Sequence, residues 1–266
     1  MIDYEFKENY KFDDLVEILK ILRAPGGCPW DAKQTHASIR KDFIEETYEV
    51  IEAINKNDSE LLCEELGDVL LQVVFHAEIA DSEGEFNINA VCDGICKKLI
   101  ERHPHVFGNV KVDSVEGVLD NWDKIKRKSK AQPTQGSAMQ KVPRELPALM
   151  RAQKIQSKAR KAGFDWDRID GCYEALGSEI EELRAAAAEG NGERVLDEMG
   201  DVLFSCVNVA RFLDVDAEEA LTSSTDKFMK RYLIVEQLAQ SRGIDMKESS
   251  VEELDKLWDE AKKQSN

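Results

Sequence analysis

Eight acidic residues carry the strongest chemical signal in this 266-residue chain. Glu46 and Glu49 stand three apart, and so do Glu65 and Asp68 further on. Residues three apart share one face of a helix, so each pair projects its carboxylates together. If the two helices are antiparallel neighbours, four carboxylates converge on one small volume. Like charges held that closely are unfavourable without a neutralising cation. Hard oxygen donors suit Mg²⁺, with Mn²⁺ as a substitute, and leave coordination positions for water and phosphate oxygens. The set recurs as Glu179, Glu182, Glu198 and Asp201, each member displaced by 133 positions. A solvated acidic face explains one isolated pair, but not paired sets that occur twice.

A di-iron carboxylate bundle would carry Glu-x-x-His on two of its helices. Here the second pairs end in Asp68 and Asp201, which disfavours iron. His36 and His76 read as ordinary polar or core positions, and His103 and His105, flanking Pro104, as caps of helix-end carbonyls. An anionic substrate would complete the metal's coordination. Lys98 with Arg102, and Lys227 with Arg231, are spaced to clamp phosphate oxygens. Trp122 and Trp258 suit either stacking on a base or filling a core. Asn208 follows Asp201 by seven residues and can hydrogen-bond a ribose or base, whereas Phe75, its counterpart, cannot. Gly67 and Gly200, beside the aspartates, weaken their helices and predict a close backbone approach.

Helices must position these groups. Leu62, Leu66, Val69, Val73 and Ala80 form one apolar seam, and Ile39, Phe43, Val50 and Ile54 another. Asn57-Asp58-Ser59 supplies a turn and N-cap between them, giving an antiparallel hairpin. No run alternates with period two, so the fold class is an all-α bundle. The repeat extends beyond the carboxylates. Glu65–Leu70 matches Glu198–Leu203, Trp30-Asp31 matches Trp166-Asp167, and Val115–Trp122 echoes Val251–Trp258. Between the copies, Lys128 to Pro147 has linker chemistry, with helix starts after Pro143 and Pro147. The domains are therefore placed at 1–135 and 136–266.

Composition narrows the partners. A net charge of −17 disfavours a nucleic-acid polymer, although a bound cation can still attract a nucleotide. No apolar run is long enough for a bilayer, and Met1 to Tyr10 lacks a signal-peptide core. Six scattered cysteines suggest reduced thiols in a cytoplasm. Cys92 and Cys96 read as helix packing rather than a zinc site.

Glu45-Glu46-x-x-Glu49…Glu65-x-x-Asp68 resembles the EExxE…ExxD signature of the MazG nucleoside triphosphate pyrophosphohydrolases. Gly27–Asp31, Arg102–Phe107 and Ala162–Trp166 are similar to strings of its tandem-domain bacterial members. The resemblance implies two MazG-like helical-bundle domains of the all-α NTP pyrophosphatase type, usually homodimeric. It also implies Mg²⁺-dependent hydrolysis of NTPs or dNTPs to monophosphate and diphosphate. In tandem relatives the C-terminal domain is the main catalyst. That makes Glu179, Glu182, Glu198 and Asp201 the catalytic and metal-binding set, with Asn208, Lys227, Arg231 and Trp258 on the substrate. Glu46, Glu49, Glu65 and Asp68 become a second metal site. Ser178 departs from the signature, where the first copy keeps Glu45. The expected role is nucleotide-pool housekeeping. A narrow pyrimidine dNTPase and a non-catalytic nucleotide- or metal-binding regulator are the alternatives.

Overall fold

The computed structural model describes residues 4–112, 114–129 and 134–265. Its helices are, in order, α1 (Phe12–Arg23), α2 (Arg40–Lys56), α3 (Ser59–Ser82), α4 (Ile88–Arg102), α5 (Pro104–Phe107) and α6 (Val115–Ser129). They continue as α7 (Gln135–Met139), α8 (Ala148–Lys161), α9 (Ile169–Glu189), α10 (Gly192–Phe212), α11 (Ala217–Arg242) and α12 (Val251–Gln264). No strand occurs among the described residues, so the fold is all-α. The chain forms two compact units, Met1–Lys126 and Arg127–Asn266.

Each unit is built around a helical hairpin whose hinge is fixed by two residues. In the first, Asn57 takes the left-handed conformation (φ 54°) that ends α2. The Asp58 carboxylate then accepts from the backbone N–H groups of Glu60 and Leu61 and starts α3. In the second, Gly190 (φ 69°) ends α9, and the Asn191 side chain accepts from Glu193 and Arg194 to start α10. The turn and cap expected at Asn57-Asp58-Ser59 are thus present, and the second copy reproduces them.

A third helix braces each hairpin: α1 lies on α3, and α8 lies on α10. Leu19, Ile39, Val74, Phe75 and Ile79 make the first unit's buried cluster. Because α1 reaches only the C-terminal half of α3, the expected seam is split. Ala80 is buried, while Leu66 is 51% exposed, and Ile54 of the α2 seam is also open. The second unit adds a hairpin of α11 and α12, closed by Val235, Ala239, Leu257 and Ala261. Helix α8 starts after Pro147, as its chemistry predicts, and α7 is an additional short helix capped by Thr134. Pro133 lies outside the described residues.

One expectation needs correction. Gly67 and Gly200 do not mark a close backbone approach, because a Cβ at either would meet nothing within 4 Å. Both are exposed. His36 and His76 are half-buried polar positions that partner each other. Their rings stack at 5.0 Å with Nδ1 atoms 2.7 Å apart, joining the loop before α2 to α3. His103 does cap, its Nδ1 lying 2.6 Å from the Leu99 carbonyl oxygen. The cysteines are all free thiols.

Candidate metal centre

The two hairpins bring the sequence-selected carboxylates together. Oxygens of Glu46, Glu49 and Glu65 lie within 4.8 Å of one another, as do those of Glu179, Glu182 and Glu198. The i,i+3 spacing supplies the first two of each set, and the hinge returns the third from the next helix. Asp68 and Asp201 stand beside these triads as further negative charge. Burial first, and Asp68 next, push the Glu46 carboxyl above its ordinary range. Burial and then Asp201 do the same to Glu179, and burial and then Glu49 to Glu65. The charged groups that shift Glu46, Glu65 and Glu179 are all carboxylates. Opposite ligands of an octahedral hard cation lie about 4.2 Å apart, so a small closure of either triad would seat one. The donor set fits a divalent metal.

Around the triads the units differ. In the second, the Ser178 hydroxyl donates to Glu182 Oε1 at 3.1 Å. Arg194 bonds Glu189 and lies 3.6 Å from Glu198 Oε1. The matching positions of the first unit hold Glu45 and Leu61. The i,i+4 spacing of Arg194 and Glu198 was a readable signal for this contact.

Asn208 is buried and turned into its unit. Its amide oxygen accepts from Arg211 Nε and Nη2 at 2.9 and 2.7 Å, and its nitrogen reaches Cys172 Sγ at 3.8 Å. Arg211 in turn forms a two-point ion pair with Asp165, at 2.6 and 3.0 Å. For its amide oxygen to accept from a substrate, Asn208 would have to release Arg211. Asp165 and Arg211 are 46 positions apart, beyond any local pattern. In the first unit, Phe75 instead packs under the Arg23 guanidinium at 5.2 Å.

The basic and aromatic candidates occupy other helices. Lys227 is exposed on α11; Arg231 donates to Ser265 Oγ at 3.1 Å; Trp258 packs on Phe228 at 5.3 Å. Among the described residues no ion pair joins Lys227 or Arg231 to the carboxylates. In the first unit Lys98 is exposed, while Arg102 is buried over the Trp122 ring at 5.1 Å.

The family model for the MazG nucleotide pyrophosphohydrolase domain matches residues 34–107 and again 170–235. Those spans hold one carboxylate set each. Among curated proteins, the nucleoside triphosphate pyrophosphohydrolase of Escherichia coli (strain K12) is 42% identical, covering 96% of this chain and 98% of its own. The nucleoside triphosphate pyrophosphohydrolase/pyrophosphatase MazG of Thermotoga maritima is 44% identical, covering 94% and 95%. An uncharacterised protein of Bacillus subtilis, YabN, is 46% identical over 95% of this chain and 52% of its own. With the domain matched twice and the likeness running nearly end to end, the chain belongs to the MazG nucleotide pyrophosphohydrolase family.

Proposed function

We propose that this protein is a Mg²⁺-dependent hydrolase that converts NTPs or dNTPs to monophosphate and diphosphate, chiefly in the domain 136–266. The carrying observation is the convergence of Glu179, Glu182 and Glu198, with Asp201 beside them, in a chain of this family. These four residues would hold the metal, with Mn²⁺ an acceptable substitute. When bound, Mg²⁺ supplies charge that polarises the phosphates. The carboxylates orient the attacking water and accept its proton. Lys227 and Arg231 take phosphate oxygens, Trp258 stacks on the base, and Asn208 contacts the nucleoside. Glu46, Glu49, Glu65 and Asp68 form a second metal site.

The active form in this reading is a homodimer. Leu221, Phe228, Met229, Tyr232 and Leu233 of α11 are all exposed, as are Met199, Leu203 and Phe204 of α10. So wide an apolar surface favours a partner, and a second copy offers the same surface in return. It could also bring further basic side chains to a carboxylate site where Arg194 stands beside Glu198. No helix of the described residues is long and apolar enough to cross a membrane. A cytoplasmic enzyme that clears excess or noncanonical nucleotides, without nucleic-acid polymers or membranes as partners, accords with this and with the acidic charge.

Diphosphate release from a panel of NTPs and dNTPs with Mg²⁺ tests the reading. Release with several nucleotides is expected. Activity confined to dUTP and dCTP would replace it with the narrow pyrimidine enzyme. No release with any nucleotide would overturn it in favour of a non-catalytic binder.

A further inference from the structure

One further cluster in the first unit lies outside that unit's carboxylate centre. A ring nitrogen of His36 and one carboxylate oxygen each of Glu83 and Glu85 all fall within 4.8 Å of one another. We propose that His36, Glu83 and Glu85 form an additional cation site, selective for a borderline divalent metal such as Zn²⁺ over Mg²⁺.

The local backbone builds this convergence. Gly84 takes a left-handed conformation (φ 75°) after α3, and the Glu85 N–H bonds the Ala80 carbonyl at 2.9 Å. This turn folds the chain back, so carboxylates two positions apart face one volume. Opposite them, Thr35 and Ser38 cap each other through N–H to hydroxyl bonds at 2.9 and 3.2 Å, which fixes the loop carrying His36. The three groups meet without satisfying one another. Among the described residues neither carboxylate has a Lys, Arg or His partner within 4.0 Å. Two carboxylates and an imidazole nitrogen within 4.8 Å of one another offer a three-donor set.

His76 completes the arrangement from behind. Its Nδ1 is 2.7 Å from His36 Nδ1, so one of the two must carry the proton. When His36 donates, its Nε2 keeps a free lone pair. A ligating histidine is typically held by a hydrogen bond at its other nitrogen, and here His76 takes that part. Phe43 lies edge-on to His76 at 5.9 Å and confines the ring. A nitrogen with two oxygens suits zinc better than magnesium, which prefers oxygen alone, and leaves a fourth position for water. From Asp68 to Glu83 the chain rises about 22 Å along α3, so this site is separate from the carboxylate centre of its own unit. It would tie the loop before α2 to the end of α3.

The test is zinc binding to the full-length chain in saturating Mg²⁺, which occupies the hard-oxygen sites. The expected result is one additional zinc retained per chain, lost in Glu83→Gln/Glu85→Gln and kept in Cys92→Ser/Cys96→Ser. Histidine-ring ¹⁵N spectra should place the metal on Nε2 of His36. Both glutamates are exposed, so the double variant should fold as the parent does, with Mg²⁺-dependent diphosphate release unchanged. Equal zinc retention by parent and double variant overturns the proposal, and so does zinc lost only with the cysteines. Either result would leave the carboxylate-centre reading standing, because diphosphate release is measured separately.

Discussion

The two hairpins hold their carboxylates alike and surround them differently. In both, i,i+3 pairs and a two-residue hinge set the donor triad. At matching positions, Glu45, Leu61 and Glu78 of the first copy give way to Ser178, Arg194 and Arg211 in the second. Every exchange makes the second copy more positive. One adds a hydroxyl donor to Glu182, one places a guanidinium beside Glu198, and one organises Asn208 with Asp165. Backbone geometry can thus preserve a metal-donor set through duplication, while single side chains around it reset the local charge. A polyanionic substrate is better served by the more positive copy.

The sharpest way to break this comparison is to remove donors from each copy. Glu179→Ala and Asp201→Ala should each lower turnover by about 10³-fold or more, the loss expected when a hard cation loses a ligand at the reacting centre. Glu46→Ala should leave turnover near the parent's, and equal losses in steady-state diphosphate release would show that the copies share the work. Next in size, Arg211→Met leaves Asp165 without its two-point partner, in a pair that is largely buried. Urea unfolding should record a loss of about 3 kcal/mol, the scale of a broken buried pair. Arg23→Met, which removes the cation–π contact with Phe75 and the guanidinium's hydrogen bonds to the Asp31 and Gln34 carbonyl oxygens, should cost about 2 kcal/mol.

Smaller effects sharpen the comparison. Arg194→Leu installs the first copy's residue and removes a cation beside Glu198. Since Arg194 is 44% exposed, solvent screening holds the gain in Mg²⁺ affinity to about two- to threefold by calorimetry. Weaker metal binding would show instead that Arg194 positions the carboxylate. Smallest of all, Gly200→Ala meets open space and should raise stability by up to about 1 kcal/mol. If its turnover nevertheless falls, the glycine serves a bound nucleotide or a second copy.

The hairpins and triads were legible in the sequence because each depends on spacing along one or two helices. Asp58 announced its cap, and the 133-residue displacement announced the second site. The Arg211–Asp165 pair and the His36–His76 stack were not legible, since they join residues 46 and 40 positions apart through tertiary packing. The apolar seam of α3 misled in its first half, because periodicity tells which face is apolar and not how far a neighbour reaches along it. For Gly67 and Gly200 the residue type was clear and the inference from it was not. Glycine permits close approach without requiring it.

The constant displacement has a practical side. Helices α3 and α10 begin 133 positions apart, after hinges of equal length and like conformation. The hairpin is therefore an interchangeable cassette. Grafting one copy's α2–hinge–α3 segment onto the other's flanking helices would keep every carboxylate in register. Such chimeras could assign activity either to the cassette or to its frame, which point substitutions cannot do.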